Sequence, residues 1–139
     1  MSETKYDKRK IKYEAFFFED PDQIAKDFKT PYKNVFCHHT TISYLPEDLI
    51  NEDLLGISLD VVVTGRLTTD KVDLLIVKDA DYIEKKDLHI TLSTVEGVEP
   101  KYSNEAIKEN RDKIVYYEEE ILLPARYGYY DGNNIVYEK

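Results

Sequence analysis

Two six-residue stretches, fifty positions apart, constrain this chain more than any other feature. His39-Thr40-Thr41-Ile42-Ser43-Tyr44 and His89-Ile90-Thr91-Leu92-Ser93-Thr94 both read His-x-Thr-aliphatic-Ser. Side chains of an extended strand alternate faces with period two. As strands, each stretch sets an imidazole and two hydroxyls in one row: His39, Thr41, Ser43 and His89, Thr91, Ser93. Ile42, and Ile90 with Leu92, then point the other way, toward a core. A lone histidine in a strand is usually a hydrogen-bonded structural residue. This chain holds three histidines, and two of them occupy the same setting at the same spacing. The repeat therefore predicts two strands whose polar rows face each other across one cleft.

The rest of the sequence supplies a frame for those strands. Ile11 to Phe18 alternates weakly and ends in three phenylalanines, a strand. Asp20-Pro21-Asp22-Gln23 has a capping Asp, Pro at the first helical position and Gln three residues after the cap, so a helix is expected over Pro21–Phe28. Its buried side would carry Ile24, Ala25 and Phe28. Asn34 to Tyr44 is the first motif strand, and Pro46 to Leu55 a loose helical turn. Ile57–Arg66 and Val72–Lys78 read as a supporting hairpin around Thr68-Thr69-Asp70. Leu88–Val95 is the second motif strand. Ser103 or Asn104 is placed to cap a helix over Glu105–Lys113. Val115–Leu123 reads as a strand stopped by Pro124. Tyr127–Tyr130 and Asn134–Tyr137 flank a hairpin turn at Asp131-Gly132-Asn133-Asn134.

With 139 residues and no linker-like stretch, one domain over residues 1–139 is expected. Residues 1–10 are polar and expected to be frayed. The net charge of −9 excludes a long-duplex nucleic-acid binder, because such binding works by neutralising many phosphates. A small anionic ligand in a local pocket remains compatible. A single cysteine, Cys37, rules out an internal disulfide and suits a reducing compartment. No apolar run is long enough to span a bilayer, and MSETKYDKRK lacks the apolar centre of a secretory leader. A cytoplasmic protein, monomeric or weakly associating and away from membranes, is expected.

Two imidazoles suit phosphodiester chemistry. One proton must leave the nucleophile and another must reach the departing oxygen. A neutral and a protonated imidazole, each with an ordinary pKa of about 6.5, do both at neutral pH. Charge gathers on the phosphoryl oxygens in the transition state, where fixed donors stabilise it. A threonine hydroxyl two residues from each histidine, stiff about χ1, is such a donor.

His39-Thr40-Thr41-Ile42 and His89-Ile90-Thr91-Leu92 resemble the two His-x-Thr/Ser-hydrophobic motifs of the 2H phosphoesterase superfamily. That group includes LigT-like RNA 2′,3′-cyclic phosphodiesterases, the phosphodiesterase module of fungal tRNA ligases, and phage enzymes that destroy cyclic oligonucleotide signals. The stretch from His89 to Asn104, with Gly97, Pro100 and Tyr102-Ser103-Asn104, is similar to RNA-repair-type members. The match covers residues 34–44 and 88–104. The resemblance implies a bilobal α+β fold, with two antiparallel sheets around a central cleft and a few short helices. It implies cleavage without metal or other cofactor, with His39 and His89 as general acid and base and Thr41 and Thr91 on the phosphate. The histidines are closer in sequence here than in many members, which bears on substrate choice more than on chemistry.

Around these four, Ser43, Tyr44, Ser93 and Tyr102 are the candidate substrate-binding residues. The serines either add donors or sit at a wet edge; the tyrosines either sandwich a base or pack. His38 should face away from His39, while Cys37 should share its face, as a groove-lining or a buried inert thiol. Arg66, Lys101 and Arg126 are possible phosphate partners. The activity expected is hydrolysis of a small RNA-derived phosphodiester: a 2′,3′-cyclic end, a 2′–5′ linkage or a cyclic oligonucleotide. Alternatives are a phage-type enzyme against cyclic oligonucleotide immune signals, a non-catalytic nucleotide-binding module, and a structural domain whose repeat reflects sheet packing alone.

Overall fold

A computed structural model describes residues 11–44, 52–80, 83 and 86–138. The frayed start and most of the turn expected over Pro46–Leu55 lie outside the described residues; a short 3-10 turn covers Glu52–Leu54. Strand β1 runs Tyr13–Phe18, helix α1 Pro21–Phe28, β2 Asn34–Val35 and β3 His39–Tyr44. Then come β4 Ser58–Thr68, β5 Val72–Val77, β6 His89–Thr94, α2 Tyr102–Glu109, β7 Val115–Tyr130 and β8 Ile135–Val136. The class is mixed α+β, as expected. Among the described residues, no helix is long and apolar enough to cross a membrane.

Helix α1 starts where its cap signature puts it. The Asp20 carboxylate accepts the Gln23 N–H at 3.1 Å, and Lys29 ends the helix in the left-handed region. Ile24 enters the main core, with Ala25 and Phe28 packed against it. Helix α2 departs from expectation: it starts at Tyr102, without a side-chain cap. Ser103 lies inside the first turn and is fully buried, its hydroxyl turned to Thr91 at 2.8 Å rather than to the helix end. β7 runs straight through Pro124 instead of stopping there. Pro124 lies one residue past the last β1 pair, Phe18↔Ala125, so β4 is its neighbour and no β1 ladder bond is lost. The Asp131 turn forms as expected, with its carboxylate accepting the N–H groups of Asn133 and Asn134.

The strands form one eight-stranded sheet, ordered β2-β6-β5-β4-β7-β1-β3 with β8 on β7. Two separate sheets were expected; pairing of β4 with β7 from Ser58↔Arg126 to Val63↔Ile121 fuses the halves. The sheet curls into a half-barrel, and β3 and β6, far apart in its order, come into contact. The segment 34–44 makes the curl. Its first part pairs with β6, and the Phe36 and Cys37 N–H groups donate to the Leu92 and Thr91 carbonyls at 2.8 and 3.0 Å. Its second part pairs with β1. The expected single strand Asn34–Tyr44 is therefore two strands, hinged at Cys37 in the left-handed region with φ +60.

The short repeat organises the whole sheet. Exchanging β1, β3 and β4 for β5, β6 and β7 leaves the strand order β3-β1-β7-β4-β5-β6 unchanged. Both motif strands carry an irregularity at the same place. Ile42 has no partner between the Ser43↔Glu14 and Thr41↔Ala15 pairs, and Leu92 has none between Ser93↔Asp73 and Thr91↔Leu74. Both motif histidines follow, two residues on, a left-handed non-glycine: Cys37 at φ +60 and Asp87 at φ +57. The carboxylates at matched positions, Glu14 and Asp73, are both buried. The third strand of each half anchors them: Tyr127 donates to Glu14 at 2.6 Å, and Arg66 to Asp73 at 2.9 and 2.7 Å.

Within the curl, Phe16, Phe18, Ile42, Val63, Leu75, Ile90 and Leu92 form the main core. A smaller cluster of Leu67, Val72, Leu74, Ala106 and Ile107 seats α2 on the other face. β5 is thus covered on both sides, which is why it reads as a nearly unbroken apolar run.

Candidate active site

His89 opens β6 and is 8% exposed. Its Nδ1 lies 2.9 Å from the Asp87 carbonyl oxygen. A carbonyl can only accept, so Nδ1 carries the proton and the lone pair of the neutral ring is on Nε2. Asp87 holds that carbonyl in place from the left-handed region, which Asp tolerates better than most residues. Its carboxylate receives both Arg111 terminal nitrogens at 2.9 Å. Those hydrogen bonds from Arg111 outweigh the opposing effect of partial burial and hold the Asp87 carboxyl below its ordinary range. Arg111 sits in the 3-10 turn Arg111–Lys113 that follows α2, so the end of α2 and the start of β6 are tied together behind the imidazole.

Thr91, two residues on, keeps the orientation the alternation predicts. Its hydroxyl is 2.8 Å from the Ser103 hydroxyl, with the Pro100 carbonyl at 3.4 Å. On the other half, His39 opens β3 against two aromatic rings: Tyr13 at 4.9 Å and Phe17 at 5.6 Å between centroids. Burial, and then Tyr130, push the Tyr13 hydroxyl up.

His39, Thr41, His89 and Thr91 line one cavity of about 540 Å³. Tyr13, Phe36 and Tyr44 add rings, and Lys101 and Asn104 from the start of α2 add polar ends. Tyr44 is at the mouth, 73% exposed. The expected rows do not extend to the serines. The unpaired Leu92 breaks the alternation in β6, and Ser93 is fully buried elsewhere, bonded to Thr30 and accepting the Tyr32 N–H at 3.2 Å. Ser43 follows the matching break at Ile42, lies opposite Glu14, and is not among the cavity's lining residues. Tyr102 is also outside this cavity, with Lys71 5.4 Å above its ring.

His38 departs from expectation the other way. It lines the cavity beside His39, because β3 begins only at His39 and strand alternation does not reach across the bend at Cys37. Cys37 does not share the cavity but packs in the main core, where burial pushes its thiol up to about 11. Arg66 is committed to Asp73, and Arg126 lies 4.1 Å over the Tyr137 ring. Of the three candidate cations only Lys101 reaches the cavity, and it also meets Glu99 at 3.1 Å. Ser103 was expected only as a helix cap, and nothing in the sequence marks Arg111 for the site; long-range packing brings both behind it. The sequence matches no family model and no curated protein.

Proposed function

We propose that the chain is a metal-independent phosphodiesterase of the 2H type, hydrolysing a small RNA-derived phosphodiester. The reading rests on one observation: His39 and Thr41 from one half, and His89 and Thr91 from the other, line a single cavity. The two halves of the curled sheet play the part of the lobes. One imidazole takes the proton of the attacking water as its oxygen bonds to phosphorus. The other, protonated, gives its proton to the leaving oxygen as the old P–O bond breaks. Thr41 and Thr91 donate to the non-bridging oxygens, where charge accumulates. The volume falls in the range of about 300–1,000 Å³ common to small-molecule sites. The Tyr13, Phe36 and Tyr44 rings offer stacking surface for a base. Substrates of this kind are 2′,3′-cyclic phosphate ends, 2′–5′ linked and cyclic oligonucleotides, and the buried thiol fits a cytoplasmic setting.

The test is turnover of cyclic mononucleotides, 2′–5′ oligoadenylate and cyclic di- and trinucleotides with a chelator present. Activity that survives chelation and disappears in His39→Ala and in His89→Ala supports the enzyme. Tight binding with no turnover replaces it with a nucleotide-binding module.

A further inference from the structure

A second recess of about 640 Å³ adjoins the first, and Lys101 and Asn104 line both. Lys71, Lys101 and Lys108 line it, in a chain whose net charge is −9. Glu99 and Glu105 also line it, and Glu99 is drawn to Lys101 at 3.1 Å. The balance of three lysines against two glutamates is still positive. Lys71 is held over the Tyr102 ring at 5.4 Å, which keeps its charge at the recess instead of in bulk water. One wall is the turn at Gly97, where nothing lies within 4 Å of the position a Cβ would take, so backbone is open to a ligand there. The Thr94 hydroxyl holds that turn by donating to the Val98 carbonyl at 2.8 Å.

We propose that this recess is a second phosphate site, and that the substrate is an oligonucleotide of at least two nucleotides rather than a mononucleotide. This rests on the reading of the first cavity as the place of cleavage. With the scissile phosphorus between the two histidines, the adjoining nucleotide passes Lys101 and Asn104. Its phosphate then lies among Lys71, Lys101 and Lys108. Cyclic mononucleotides fill only the first cavity and gain nothing from these lysines.

The experiment compares two probes with the same scissile group: adenosine 2′,3′-cyclic phosphate, and triadenylate ending in a 2′,3′-cyclic phosphate. Each is assayed with the native chain and with Lys71→Gln/Lys108→Gln, which leaves the first cavity intact. The native chain should prefer the trinucleotide at least tenfold in kcat/KM. The variant should lose about tenfold on the trinucleotide through KM, with a shallower salt dependence, and nothing on the mononucleotide. Equal handling of both probes by the native chain, or an equal effect of the variant on both, overturns the proposal. If neither probe turns over, the cleavage reading loses this linkage, and fluorescence anisotropy with labelled triadenylate still decides the recess. Binding weakened about tenfold in the variant supports the site, and unchanged binding removes it.

Discussion

Replacing Arg66 with methionine strands a carboxylate that has no access to water. Asp73 is fully buried. It accepts the Arg66 Nε and Nη2 donors at 2.9 and 2.7 Å, and the Thr68 and Thr30 hydroxyls at 2.7 and 2.6 Å. Methionine keeps most of the apolar stem but removes both charged donors, and with them the guanidinium carbon that lies 5.8 Å over the Phe28 ring. Two neutral hydroxyls cannot replace the guanidinium, and breaking a buried pair from one side costs about 3–5 kcal/mol. For a chain of this length each kcal/mol moves Tm by roughly 3–4 °C, so the loss should be about 10–20 °C. Thermal and urea unfolding followed by far-UV circular dichroism measures it. Arg66→Met/Asp73→Leu removes both charges and should recover to within about 1–2 kcal/mol of the native chain, since apolar replacement of such pairs is often nearly neutral. A single variant that loses under about 1 kcal/mol, or a double variant no better than the single, would refute the claim that the buried Asp73 side chain depends on Arg66.

Three further outcomes follow from the same structure. Thr40 Oγ1 is buried without a hydrogen-bond partner among the described residues; Thr40→Val should therefore raise stability by about 1 kcal/mol in urea unfolding, with kcat unchanged. Ser103→Ala removes the hydroxyl that steers Thr91 and should lower kcat by roughly twofold to tenfold, while Thr91→Val, losing the donor itself, should lower it by roughly 10- to 150-fold. The Asp87 carboxyl is held below its ordinary range by Arg111, so the clamp stabilises the fold above the unfolded carboxyl's pKa of about 3.9 and loses its effect as pH falls through the lower folded value. The gap in stability between the native chain and Arg111→Ala, followed by unfolding at a series of pH values, should accordingly be present at pH 7 and close only in strong acid.

Local chemistry made part of this legible. The Asp20 cap, the Asp131 turn, the β4–β5 hairpin and the paired His-x-Thr rows each depend on neighbours in sequence or on strand alternation, and each forms where expected. What was missed depends on pairing between distant strands. Nothing in Ile42-Ser43 or Leu92-Ser93 marks the missing partner that takes the serines out of the row; the register against β1 and β5 sets it. Cys37 adopts a left-handed bend because its segment changes partner from β6 to β1, and that bend is what brings His38 to the cavity. Ser103 looked like a cap from its neighbours, yet tertiary packing assigns its hydroxyl to Thr91. The single sheet has the same origin, since the strength of the β4–β7 pairing is invisible in either strand alone.

The pH dependence of kcat/KM, measured on whichever probe turns over, with His39→Ala and His89→Ala alongside, bears most directly on two-imidazole catalysis. The native chain should give a bell with both limbs in the imidazole range, around pH 6–7, and each variant should fall about 10²–10⁴-fold and lose one limb. A profile with no limb in that range, or a histidine variant that keeps the native rate, would contradict it.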